Sequence, residues 1–161
     1  MNINKINKHL FNSLMGFTHW LTETEFRNVI GKPFMRGLGG LTLVVKKANK
    51  KSTVAEAAEE WQRMFPSKKM VPITSIYEET VYAEIHSECP YRGSGNVEGC
   101  HRMMEYDRKM MEKIGSTFIV VRSQAEPGVT HCQVAISKAT ENLPTEAKDR
   151  VLMGRVHEIK S

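Results

Sequence analysis

No stretch of about 18 consecutive apolar residues occurs in the 161-residue chain, which excludes a membrane-spanning helix. The N-terminus also lacks the continuous apolar segment of a secretory signal, so a cytoplasmic location is expected. Cysteine is scarce and odd in number: Cys89, Cys100 and Cys132, with no Cys-x-x-Cys pair. That argues against a disulfide framework and against a standard zinc motif, and leaves free thiols, catalytic groups or dispersed metal ligands. Aromatic residues make up 7% of the chain and are not interleaved with the basic ones. The formal charge of +5 therefore does not imply a nucleic-acid partner. Lys46, Lys47, Lys50 and Lys51, like Lys68 and Lys69, read as solvated surface.

What is present suits one globular domain spanning 1–161, with 40% hydrophobic and 25% charged residues. It divides into a helical part over about 1–75 and a strand-helix-hairpin part over about 78–138. Ile3, Ile6, Leu10, Leu14, Phe17 and Leu21 recur at helical spacing and predict an N-terminal helix packed on the domain. Thr22 and Glu25 have the spacing of a capping box for a short second helix. The stretch from Gly31 to Gly40, with four glycines and Pro33, reads as punctuation that breaks or bends any helix there. Leu41 to Val45 fits strand or helix equally. Ser52 to Phe65 predicts a helix, with Ser52 as its cap and Pro66 as its stop.

The second half alternates more cleanly. Val81, Ala83 and Ile85 share one side of a strand over 80–87, opposite Tyr82, Glu84 and His86. Asn96 is placed to cap a helix over about 97–114, with Gly115 at its C-terminal end. Residues 117–121 and 130–136 read as an antiparallel pair, and those after Lys138 as a short peripheral helix or tail. The predicted fold class is α+β, an antiparallel sheet with helices packed on one side.

Direction singles out the candidate chemistry. On the helix over 97–114, Cys100 and Asp107 are seven residues apart, nearly two turns, and both lie within a methionine-rich face. An acid there is unexpected, because burying an unpaired charge is costly. Cys89 extends the parity of Val81, Ala83 and Ile85, and Cys132 shares that of Val134 and Ile136. All three thiols and Asp107 are thus expected around one apolar space. His86 and His131 fall on the opposite parity, and His101 lies one step off the helix stripe.

Three readings fit such a set. The thiols can be buried small hydrophobes. One can be a nucleophile, with Cys89 favoured because it precedes Pro90 and lies near the charge of Arg92. Or Cys89, Cys100 and Cys132 can hold a soft metal ion, zinc being the natural candidate. The methionine-rich helix suits a pocket wall or a contact between copies of the chain equally well.

Cys89-Pro90-Tyr91, Cys100 followed by Asp107, Arg122-Ser123-Gln124 and Gly128-x-x-His131-Cys132 together resemble the L-2-amino-thiazoline-4-carboxylate hydrolase family. More distantly, residues 84–136 are similar to the vinyl-reductase-type small-molecule-binding domain. Gln133 and Val134 stand where the hydrolases carry Asp-Phe. The hydrolase resemblance implies opening of a cyclic carbon–nitrogen bond in a small thiazoline or amide-like substrate. Cys89 or Cys100 would be the nucleophile and Asp107 its polar partner. Arg92 and Arg122 would hold a substrate carboxylate, with Tyr91, Gln124 and Cys132 completing the binding site. The second resemblance implies a non-catalytic sensor or carrier for a small apolar or aromatic molecule, with zinc on the cysteines as an option.

Overall fold

The alternation of Val81, Ala83 and Ile85 produces a strand whose apolar side is fully buried. The computed structural model describes residues 3–138 and is α+β. In chain order its elements are α1 (Ile3–Thr22), α2 (Glu25–Val45), α3 (Val54–Met64), β1 (Ile73–Tyr77) and β2 (Thr80–Ile85), then α4 (Val97–Met103), α5 (Glu105–Ile114), β3 (Thr117–Arg122) and β4 (Cys132–Ser137). The sheet is antiparallel with strand order β1-β2-β4-β3. In register, Val81 faces Ile136, Ala83 faces Val134 and Ile85 faces Cys132, while Phe118 and Val120 face Ile136 and Val134 from the other side. These residues form the inner face of the sheet, on which α3 and α5 pack. Helix α2 covers α5, and α1 covers α2 and α4.

Trp61 of α3 sits at the centre of this packing and is fully buried. Its ring meets Phe118 at 5.6 Å and Phe65 at 5.1 Å, in the tilted and edge-on geometries that aromatic pairs prefer. The helix that carries it begins in a capping box. Thr53 accepts from the Glu56 main chain, and Glu56 in turn accepts from Thr53. The cap is thus Thr53 rather than Ser52.

The main departure from expectation is α2, which runs unbroken through Gly31, Pro33, Gly37, Gly39 and Gly40. Two of these glycines have a packing reason. A Cβ at Gly31 would lie 2.7 Å from the Leu21 carbonyl oxygen, and one at Gly39 2.6 Å from that of Tyr106. Both positions let α2 approach its neighbours backbone to backbone, and this packing outweighs the poor helix propensity. Pro33 is exposed and forfeits a single helix hydrogen bond.

Smaller differences follow the same logic. Thr22 ends α1 instead of capping α2; its buried hydroxyl bonds back to the Thr18 carbonyl at 2.8 Å. Helix α1 turns Thr18, Leu21 and Thr22 inward, while Leu14 and Phe17 stay exposed, as do Phe26, Val29 and Ile30 of α2. The helix expected over 97–114 is interrupted at Met104, giving α4 and α5. Strand β1 carries no alternation a sequence reading could use, because four of its five residues are exposed. The peripheral helix or tail expected after Lys138 lies outside the described residues.

Alanine at two glycines of this one helix should act with opposite signs. Gly39→Ala should destabilise the fold by about 1–3 kcal/mol, since backbone must move. Gly37→Ala, with nothing within 4 Å of its Cβ, should stabilise it by roughly 0.5–1 kcal/mol. Urea denaturation midpoints of the two variants check both.

Candidate functional site

Two connections close over the inner end of the β2–β4 pair. One runs from β2 to α4 and carries Cys89, Tyr91 and Arg92; the other joins β3 to β4 and carries Ser123 and Gln124. They are zipped together by Gly93 N–H to the Gln124 carbonyl and Gly95 N–H to the Ala125 carbonyl, both at 2.9 Å. Gly93 and Gly95 have φ of 65° and 76°, a left-handed conformation that glycine adopts without strain. Asn96 caps α4 by accepting from Gly99 N–H at 2.8 Å, which holds Cys100 inward.

Beneath this seam the three thiols come together. Cys100 and Cys132 are fully buried and Cys89 is half-buried at the outer edge. The Cys100 thiol bonds to the Cys132 sulfur and is itself met by the Ser123 side chain. The Cys132 sulfur also accepts from Gln124 main-chain N–H at 3.4 Å and from the Gln124 side chain. Gln124 is held in turn: its Oε1 accepts from Arg92 Nε at 3.0 Å, and its Nε2 donates to the Ser87 carbonyl at 3.4 Å.

These contacts separate the thiols electrostatically. The bond from Cys100 lowers Cys132 to about 7, against the opposing effect of burial and with help from Gln124. The same shared bond, together with burial, drives Cys100 far upward. Burial also pushes the Cys89 thiol up, only partly offset by the Tyr91 main chain and the Arg92 charge. The pair Cys100–Cys132 therefore holds one proton tightly and releases the other near neutrality.

Asp107 lies on the same buried face, but its hydrogen bond goes to Trp61, whose Nε1–H donates to Oδ1 at 2.9 Å. Burial raises Asp107 to about 6, and its charge disfavours a thiolate at Cys132.

Other expected site residues go elsewhere. The Tyr91 hydroxyl donates to the His19 carbonyl at 3.0 Å and shares a 2.8 Å bond with Thr22, so Tyr91 anchors α1. Arg122 is exposed at the end of β3, opposite Gln133 across a bulge. Among the described residues, the set with metal-ligand spacing is not the three thiols but Glu84, His86 and His131 on the opposite sheet face. Sequence reasoning missed Ser123 and Trp61 as partners of the cluster, because nothing in their spacing points at Cys100 or Asp107. A surface depression of about 410 Å³, lined by residues including Gly40, Leu43, Val44 and Lys113, contains none of the thiols.

The buried carboxyl yields a signed prediction. Folding raises Asp107 from 3.8 to about 6, so its contribution is complete below the lower value and is lost as pH climbs through the upper one. Asp107→Asn keeps an acceptor for Trp61 but cannot titrate. Denaturation at about pH 4 and about pH 8 should find the variant more stable than the parent only at the higher pH, by on the order of 2–3 kcal/mol. No family model, no curated protein and no solved structure matches this chain.

Proposed function

We propose that the protein is a cysteine-dependent hydrolase of small cyclic amide-like or amidine-like C–N bonds, with Cys132 as its nucleophile. The observation that carries this reading is the set of donors around the Cys132 sulfur: Gln124 main-chain N–H at 3.4 Å, the Gln124 side chain held by Arg92, and the Cys100 thiol, which together favour its thiolate. A thiolate is the nucleophilic form of cysteine, so Cys132 rather than Cys89 or Cys100 is the thiol prepared for attack. The substrate class is the one implied by the sequence resemblance of residues 84–136 to the thiazoline-carboxylate hydrolases.

In this scheme the Cys132 thiolate adds to the electrophilic carbon and the carbon–nitrogen bond breaks. Once the Cys132 sulfur is bonded to carbon, the thiolate that held the Cys100 proton is gone, and the departing nitrogen takes that proton. Water then attacks the resulting thioester-like carbon, restoring the Cys132 thiolate as the bond to sulfur breaks, and the released proton returns to Cys100. Arg92, exposed at the mouth of the seam and bonded to Gln124, receives a substrate carboxylate. Cys132 is buried, so substrate entry requires parting the bonds from Gly93 and Gly95 to residues 124 and 125.

The test is turnover of 2-amino-thiazoline-4-carboxylate and a panel of small cyclic amides. Cys132→Ser should lower kcat/KM at least about a thousandfold while the fold is retained. The wild-type profile should rise through an apparent pKa near 7, and Cys100→Ala should move that limb upward by removing the donor that stabilises the thiolate. Arg92→Gln should raise KM more than it lowers kcat. Full turnover by Cys132→Ser would overturn the assignment. Saturable binding of a panel compound with no turnover would favour the non-catalytic sensor or carrier instead.

A further inference from the structure

The outer face of the same β2–β4 pair carries a second cluster, of which His131 directly precedes Cys132. Ile85 and Cys132 are the last paired residues and point inward, so Glu84, His86 and His131 point outward. The backbone holds them in place: Glu84 N–H donates to the Pro72 carbonyl at 3.0 Å and His86 N–H to the Met70 carbonyl at 2.8 Å. The two imidazoles stack with centroids 4.8 Å apart and planes within 13° of each other. Both direct Nε2 at one carboxylate: His86 Nε2 lies 2.7 Å from Glu84 Oε2, and His131 Nε2 lies 3.3 Å from Oε1. The candidate ligand atoms all fall within 4.8 Å of one another.

The geometry points to a binding site for one divalent first-row transition ion, held by Glu84, His86 and His131 on the outer face where β2 ends and β4 begins. Bonds of about 2.0–2.1 Å to a tetrahedral ion put neighbouring ligand atoms about 3.3 Å apart, so small side-chain adjustments bring all three onto one centre. The second shell is also present. His131 Nδ1 lies 3.0 Å from Thr130 Oγ1, and when Nδ1–H donates to that hydroxyl, Nε2 keeps its lone pair for the ion.

Two imidazoles and one carboxylate select ions such as Zn²⁺, Co²⁺ or Ni²⁺ over Mg²⁺ and Ca²⁺, which prefer oxygen. His86 is exposed, so at least one coordination position faces solvent and is open to water or an anionic ligand. The ion would join β2 to β4 directly outside Cys132. The site does not depend on the hydrolase reading, because it uses none of the thiols.

The experiment is calorimetric titration of the full, chelator-treated, reduced chain with Zn²⁺, paired with the visible spectrum of its Co²⁺ adduct. The expected result is about one equivalent of Zn²⁺ per chain, no comparable Mg²⁺ uptake, and Co²⁺ bands without thiolate charge transfer. His86→Gln should abolish uptake, and Thr130→Val should weaken it about tenfold. Cys89→Ser and Cys132→Ser should leave it intact. Glu84→Gln is the second ligand variant should His86→Gln lose the near-ultraviolet signal of buried Trp61. Absent stoichiometric uptake, uptake that survives both ligand variants, or a Co²⁺ adduct with thiolate charge transfer would each overturn the assignment.

Discussion

The hydrogen bond from the Trp61 indole to Asp107 is the contact on which the interior depends. It joins α3 to α5 beneath the sheet, and it gives a buried carboxyl a donor where water cannot reach. Without it, the acid would keep only its own main-chain N–H and the Arg108 charge against the cost of desolvation. With it, the helix carrying Met110, Met111 and Ile114 can lie flat against β3 with Asp107 pointing into the core. The bond is not sufficient to keep Asp107 in its ordinary range, because burial outweighs the indole donor, the nearby Arg108 charge and Asp107's own main-chain N–H together. The core thus holds an acid that changes charge within the pH range in which the Cys100–Cys132 pair also begins to titrate.

The same balance decides which thiol ionises. Cys89 is the most exposed of the three and sits near Arg92, yet it is raised, since one main-chain donor and a partly solvated guanidinium do not offset its burial. Cys132 is more deeply buried and is lowered, because three donors converge on its sulfur: the Cys100 thiol, the Gln124 main chain and the Gln124 side chain. Directed hydrogen bonds outweigh proximity to a charge here. The donors are set by two turns from distant parts of the chain, locked together at Gly93 and Gly95.

One β-ladder thus serves two surfaces. At the end of β2 and β4 successive side chains alternate, so Cys132 enters the core while His131 joins Glu84 and His86 outside. Chemistry on one face constrains the other, since any shift in register would exchange thiol for imidazole. The bulge in β3 opposite Gln133 leaves this pairing undisturbed, because it lies on the β3 side of β4.

Much of the inner architecture was legible in residue order. Period-two alternation over 80–87 and 130–136 assigned Val81, Ala83, Ile85, Cys132, Val134 and Ile136 to the inner face, and the seven-residue spacing of Cys100 and Asp107 placed both on the core side despite the break at Met104. Where a side chain's direction follows from a local period, sequence suffices. The path of α2 was not legible, because glycine signals both a turn and a close approach, and only the carbonyls of Leu21 and Tyr106 distinguish the two. Nor could the sequence give the partner of Asp107, the ordering of the three thiols or the meeting of Glu84 with two histidines. By itself, then, the sequence determined which residues of β2, β4 and the segment from Cys100 to Asp107 face inward, a property of backbone periodicity, but not those of α1, where Leu14 and Phe17 of the expected stripe are exposed. Tertiary structure alone decided which of them touch and which sulfur gathers the donors that favour a thiolate, because hydrogen bonding and desolvation depend on atoms brought together from separate segments.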